Sequence, residues 1–242
     1  MRLRITFSKA GPLAYTSHLD LMRVWERSLR RGSIPLAYSQ GFNPRPKLQL
    51  AAALPLGHTA EGELLDVWLE RGMSLEAFAR ALVPAMPDGL AVDQVRQVAL
   101  NEPALQTRVV SAEYHVTVEG WGEGREAVTA RIERLLAADG IVYERRGRTR
   151  NLRPLVERLW VDDADPVDAA DVGTTLGMRL AAREGATARP EDVLEALGMG
   201  EAFARYHRCR LLLRENGGDG GVERQGDRER GRQGDRKTGD ME

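Results

Sequence analysis

The chain has 242 residues, 42% of them hydrophobic and 29% charged, with a formal net charge of −1 at pH 7. That length suits one large domain or two small ones, and that composition suits a folded core. No stretch approaches the roughly 18 uninterrupted apolar residues of a membrane span, and a single cysteine, Cys209, excludes an internal disulfide and a thiolate metal cluster.

The opening MRLRITFSKAG carries charge but no apolar run ahead of a small-residue cleavage site, so no secretory signal is expected and the cytoplasm is the expected location. Within it, Arg2–Ser8 alternates Leu3, Ile5 and Phe7 with polar neighbours, the period-2 pattern of a half-buried strand. Ser17 with Asp20 three places on makes a helix start of the capping-box kind; Leu21, Trp25 and Leu29 recur along one face, and Gly32 ends the helix. A short extended piece is expected at 36–38, then the loop Gly41–Lys47, a strand over 47–54, and another over 63–69. A helix over 75–86 begins after Ser74, and a strand comes next near 92–98. This β-α-β-β-α-β order is close to the split βαβ pattern of ferredoxin-like folds and defines a first half at 1–100.

Asn101–Arg108, with Pro103, is the expected boundary. The second half, 109–214, repeats the order. A strand is expected over 112–119, and a helix over 125–138 with Val128, Ile132 and Leu135 on one face. Then come a strand over 141–145, a strand or mixed segment over 152–161, and a strand over 174–182. Pro190 opens a short helix to Leu197, where its missing N–H costs nothing, and 206–214 is the last strand. The expected fold class is α+β: two tandem ferredoxin-like (split βαβ) halves with antiparallel sheets. From Glu215 onward Val222 and Met241 are the only apolar side chains. Ordering that segment would cost entropy with no burial to offset it, so 215–242 is expected to be a disordered low-complexity tail.

The near-zero net charge hides an uneven distribution. Residues 1–50 hold nine Lys/Arg against Asp20 and Glu26, and Glu144–Arg158 holds six arginines against two glutamates. Asp162, Asp163, Asp165, Asp168 and Asp171 form an acidic run. An anion sees the local field rather than the sum. The tail mixes eight acidic with six basic side chains, which argues against strong nucleic-acid binding there.

The densest set of unusual residues is Tyr38–Lys47, YSQGFNPRPK. Gly41 permits a turn closed to other residues, and Pro44 and Pro46 stiffen the backbone beyond it. The expected result is a rigid, exposed loop presenting Phe42, Asn43, Arg45 and Lys47. An aromatic beside two cations and an amide suits a nucleic acid, because the ring stacks on a base, the cations meet phosphate, and the amide reads an edge. The alternative is an ordinary tight connection with Phe42 folded back onto the core. Arg145, Arg146, Arg148 and Arg150 surround Gly147 in a hairpin tip suited either to clamping phosphate or simply to solvation. If RNA were cleaved, Tyr15 and His18 at the first helix start and His58 in the Leu56–Gly57–His58 turn are the candidate acid–base groups. No phosphate loop, dinucleotide fingerprint, nucleophile elbow or metal-ligand spacing stands in the sequence. His115 and His207 fall on expected strands as structural residues, and Trp25 is expected in the core.

FSKAGPLAYTSHLDLMRVWERSLRR at 7–31 and IPLAYSQGFNPRPKLQLAAALPLG at 34–57 closely resemble the radical SAM-linked family, with weaker support from NLRPLV at 151–156 and ARPEDVL at 188–194. The resemblance covers about 2–214. It implies a bacterial domain that occurs alone or fused to a cobalamin-binding radical SAM protein, and hence a radical SAM enzyme as partner. Members are often encoded near ribonuclease and ribosomal-protein genes, which implies RNA. Where members often carry an acidic residue before Leu-Arg-Pro, this chain has Asn151. A single cysteine cannot hold an iron–sulfur cluster, so radical chemistry is expected on a separate chain and no cofactor or metal on this one. The chain is also similar to the CRISPR RNA-processing endoribonucleases, which pair ferredoxin-like domains with a glycine-containing loop near RNA. The leading expectation is a non-catalytic accessory protein that binds RNA or presents substrate to a radical SAM enzyme. Metal-independent RNA cleavage and a protein-only adaptor are the alternatives.

Overall fold

The computed structural model describes residues 1–145, 147–162 and 173–214, and the backbone of 222–223. The alternation of Leu3, Ile5 and Phe7 produces β1 (Arg2–Lys9), with all three side chains fully buried. A 3-10 turn (Gly11–Tyr15) leads into α1 (His18–Arg31). Ser17 Oγ accepts from the Asp20 N–H at 3.1 Å and donates to the Asp20 carboxylate at 2.7 Å, which satisfies one orphan donor of the first turn. Trp25 of α1 meets Phe7 edge-on, with ring centroids 4.9 Å apart.

Next in the chain are β2 (Leu48–Leu50), β3 (Thr59–Trp68), α2 (Leu75–Leu82) and β4 (Leu90–Val98). The expected strand over 47–54 shrinks to three residues, and β3 begins four residues before the expected 63. The helix expected to reach Met86 stops at Leu82, because Pro84 lacks the N–H that a continued helix requires. The strands line up as β2–β3–β1–β4, each neighbour antiparallel. Leu3, Ile5, Phe7, Leu65 and Val67 pack against Leu21, Trp25, Leu29, Phe78 and Leu82, so α1 and α2 cover one face of this sheet.

Part of the other face is covered by the expected boundary segment, which is a packed strap rather than a loose link. It contains α3 (Leu105–Arg108), with Leu105 fully buried. Arg2 Nη1 donates to Glu102 O at 2.7 Å, Arg108 Nη1 to Glu102 Oε2 at 3.0 Å, and Arg108 Nη2 to Arg214 O at 2.9 Å. The strap's Leu105 joins Ala51 and Leu64 in a second apolar cluster built mainly from later residues.

Those later elements are β5 (Val109–Glu119), α4 (Arg125–Ala137), β6 (Val142–Arg145), β7 (Arg148–Asn151), β8 (Val156–Val161), β9 (Gly173–Arg183), β10 (Ala186–Thr187), α5 (Pro190–Ala196), β11 (Ala204–Arg214) and β12 (Val222–Glu223). The expected mixed segment at 152–161 divides into a 3-10 turn at Arg153–Leu155, started by Pro154, and β8. β8, β9, β5 and β11 are consecutive antiparallel neighbours. Tyr114, Val116 and Val118 pack on Val128, Ile132 and Leu135 of α4 and Val193 and Leu194 of α5. β6 and β7 form a separate two-stranded hairpin.

β11 runs parallel to the start of β3 through two register pairs, His207↔Thr59 and Arg208↔Ala60, and this join makes one ten-stranded sheet. The protein is thus α+β with a mostly antiparallel sheet. No helix of the described residues is long and apolar enough to cross a membrane. Arg146, the acidic residues Asp163, Asp165, Asp168 and Asp171, and the expected tail 215–242 apart from the backbone of 222–223 lie outside the described residues.

Candidate nucleic-acid interface

The loop Gly41–Lys47 is closed at its neck by backbone pairing. Lys47 N–H donates to Ala37 O and Ser39 N–H to Arg45 O, both at 2.8 Å, while Ser39 Oγ accepts from the Arg45 N–H at 3.0 Å. Two further bonds, Ala37 N–H to Trp68 O and Trp68 N–H to Lys47 O, anchor that neck on the C-terminal end of β3. Gly41 has φ +139, a backbone conformation essentially reserved for glycine, although a Cβ there would meet nothing within 4 Å. Conformation, not space, requires this glycine. Phe42 is 100% exposed, so it does not fold back onto the core. Asn43, Arg45 and Lys47 are not buried either, and neither cation forms a salt bridge with a described residue.

The β6–β7 hairpin turns at Gly147, φ +69, and presents Arg148 and Arg150 to solvent. Arg145 departs from the expectation: its Nη1 lies 3.6 Å from Asp192 Oδ2 at the start of α5, which partly neutralises it. Asn151 closes the hairpin base, its Oδ1 accepting from the Ile141 N–H at 2.9 Å and the Arg153 N–H at 3.1 Å. A carboxylate can accept the same two bonds, which gives this position a structural task with either side chain. Asp192 adjoins Glu191, which bonds His58 at 3.0 Å beside the first residue of β3. Through Asp192, Glu191 and His58 the basic hairpin borders the start of β3, while the Gly41–Lys47 loop borders its other end, and a ten-residue strand is about 30 Å long. They do not converge on one cleft.

Two further expectations need correction. The positive surplus of residues 1–50 is smaller at the surface than in the sequence, because Arg2, Arg4 and Lys9 are each 1% exposed. Arg2 and Arg4 both donate to Asp66, and Lys9 Nζ donates to Ala14 O at 3.2 Å. Burial, with a smaller opposing pull from Glu63, lowers the Lys9 pKa below the usual lysine range. His58 is equally enclosed: besides its bond to Glu191 it stacks on Tyr206 with centroids 4.7 Å apart. A buried imidazole so engaged is a strut, not a solvent-facing base. Tyr15 is exposed, His18 is half-buried with its Nδ1 unpartnered, and no hydrogen bond links either of them to His58.

Residues 2–190 match the model of a family described as uncharacterized protein conserved in bacteria, DUF2344. The chain belongs to this family. No curated protein sequence matches it. Solved structures that resemble it include a Cbf5–Nop10–Gar1 complex, with 10% identity, a TM-score of 0.47, and coverage of 86% of this chain and 48% of the other. An archaeal box H/ACA sRNP Nop10–Cbf5 complex gives 11%, 0.45, 86% and 47% in the same order. An H/ACA RNP bound to a substrate RNA containing 2′-deoxyuridine gives 9%, 0.44, 85% and 47%. This DUF2344 chain spans about half the length of the chains it matches.

A further group of side chains comes together only in the fold. On the face of β5 opposite Tyr114, Val116 and Val118, Glu113 accepts from Arg179 at 2.8 Å and Arg210 at 2.5 Å. Burial pushes the Glu113 carboxyl up, but the bonds from Arg210 and Arg179 outweigh it and hold the group below its ordinary value. Next along this face His115 and His207 are cross-strand partners, and the donor atoms of Glu61, His207 and Cys209 lie within 4.8 Å of one another. Burial lowers His207 against the pull of Glu61, and burial with Glu61 nearby pushes the Cys209 thiol up to about 12. The expectation of no metal-ligating set missed this cluster because Glu61 is remote in sequence. The local signal was His207-x-Cys209, a spacing that puts both side chains on one face of a strand.

Proposed function

We propose that this DUF2344 protein binds RNA through the Gly41–Lys47 loop and holds it for a radical SAM enzyme on a separate chain, in RNA modification or processing. The observation that carries the reading is Phe42, fully exposed beside two cations that no described carboxylate neutralises. Leaving a phenylalanine in water forgoes roughly 1.5–3 kcal/mol of burial. Stacking on a base recovers about 1–3 kcal/mol, while Arg45 and Lys47 meet the flanking phosphates and Asn43 reads a base edge. Arg148 and Arg150, at the far end of β3, supply a second phosphate contact. An RNA engaging both spans about 30 Å, the length of β3.

The architecture supports a scaffold made of two tandem split βαβ halves, 1–100 and 109–214. The orders β2–β3–β1–β4 and β8–β9–β5–β11 correspond strand for strand, with α1 and α2 matching α4 and α5. The radical SAM partner rests on the resemblance carried by 7–31 and 34–57, together with the single cysteine, which leaves any iron–sulfur cluster to another chain. A cytoplasmic setting is consistent with that pairing.

Phe42→Ala tests the reading. Filter binding to structured cellular RNA should weaken by about 5- to 150-fold, the equivalent of about 1–3 kcal/mol per stacked base. Melting should be unchanged, because the ring touches no core residue. Undiminished binding by the variant, or no RNA binding by the parent chain, contradicts it.

A further inference from the structure

We propose that Glu61, His207 and Cys209 bind a divalent metal ion of the zinc class at the seam between β3 and β11. Their donor atoms lie within 4.8 Å of one another, drawn from two strands that meet through two register pairs. His207 Nε2 stands 3.7 Å from Glu61 Oε1, too long for a hydrogen bond. Around a tetrahedral ion with metal–donor distances of about 2.0–2.2 Å, two such donors sit about 3.4 Å apart. A few tenths of an ångström therefore separate this pair from a ligating geometry.

Three features of the backbone and its neighbours prepare the site. His207 Nδ1 is already held, 2.9 Å from Thr59 Oγ1, which fixes the ring and leaves Nε2 to face the ion. Cys209 is the extra residue of a β-bulge, between the pairs Arg208↔Tyr114 and Arg210↔Glu113. Bulges re-aim side chains next to functional sites. Gly62, with φ +69, lies so close to β11 that a Cβ would come within 3.0 Å of Cys209 O. Glycine at 62 takes this positive φ and close approach without strain.

The donor chemistry selects the ion. Magnesium and calcium take oxygen ligands, whereas a thiolate with an imidazole suits zinc and its neighbours in the transition series. On binding, the Cys209 S–H bond breaks, the sulfur electron pair goes to the metal, and the proton leaves to solvent. Three protein donors, with the Glu61 side chain 65% exposed, leave a fourth position for water, as in catalytic zinc sites rather than closed structural ones. The site lies at the N-terminal start of β3 and the proposed RNA loop at its C-terminal end, so the two proposals stand or fall separately.

The test is a metal titration of chelator-treated, full-length protein with Co2+ followed by Zn2+. One Co2+ per chain should bind, with a near-ultraviolet thiolate-to-cobalt charge-transfer band that Zn2+ abolishes by displacement. Cys209→Ser should lose the band. His207→Gln and Glu61→Gln should weaken binding by more than about 100-fold, beyond the range for losing an outer partner. Thr59→Val should weaken it by about 10- to 100-fold. Glu61→Gln alters an exposed side chain, so circular dichroism should show an intact fold and keep the test valid if the strand variants misfold. The proposal is overturned by no band in the parent chain, by a band that survives Cys209→Ser, or by affinity unchanged in Glu61→Gln.

Discussion

Two guanidinium groups share one carboxylate beneath the strap. Asp66 accepts from Arg2 at 2.9 and 2.5 Å and from Arg4 at 2.8 and 2.9 Å, with all three side chains at most 1% exposed. Removing one partner of such a group leaves uncompensated buried charge, which costs about 3–5 kcal/mol. Asp66→Asn should therefore lower the urea midpoint by an amount worth about 3–5 kcal/mol, while Asp20→Asn, on the exposed start of α1, should leave it nearly unchanged. Two other, part-buried carboxylates should make stability acid-sensitive. Burial pushes Glu113 and Glu191 up, but Arg210 and Arg179 on the first and His58 on the second outweigh it, so both sit below the ordinary 4.5. A carboxyl lowered by folding contributes fully above its unfolded value and loses that contribution as pH falls through the folded one. Urea midpoints should stay level for these groups above pH 4.5 and decline below it, and Glu113→Gln should blunt the decline.

Among the elements, the contact between β8 and β9 is the least forgiving. Gly177 faces Trp160 in register, and a Cβ there would collide with the indole. Gly177→Ala forces the ring aside and should cost about 1–3 kcal/mol as overpacking, with a changed near-ultraviolet circular dichroism signal. The same contrast between local and distant causes explains what the sequence discloses. β1 and α1 were legible because alternation and a Ser17–Asp20 cap act within a few residues. The short β2 was not: 47–54 reads as one strand, and only pairing with Val67, Asp66 and Leu65 singles out Leu48–Leu50. The strap read as a linker because the partners that bury Leu105 and Arg108 come from β2 and β11. At the site, the exposed loop was readable from its own Gly, Pro, aromatic and cationic residues. The neutralisation of Arg145 by Asp192 depends on contact between distant segments, and of the Glu61, His207 and Cys209 group only the His207-x-Cys209 spacing is local.

At the scale of the whole molecule, β3 and β11 join two sheets into one, and the join is electrostatic as well as backbone-paired. Arg208 donates to both oxygens of Glu63 at 2.6 Å and to Ala53 O at 3.0 Å, with both charged side chains buried. His58 adds a stack on Tyr206 and a bond to Glu191 across the same seam. A shared core containing Ala51 and Leu64 beside Val109 and Leu213 should make unfolding one cooperative transition. Glu63→Gln should shift that whole transition by about 3–5 kcal/mol rather than split it. This continuous frame anchors the neck of the 41–47 loop at one end of β3. The most direct measurement of whether that loop grips RNA is the salt dependence of binding, parent chain against Arg45→Ala/Lys47→Ala. Two lost phosphate contacts should reduce the slope of log K against log salt by about 1.4–1.8. An unchanged slope in the double variant would contradict the RNA-binding role of the loop.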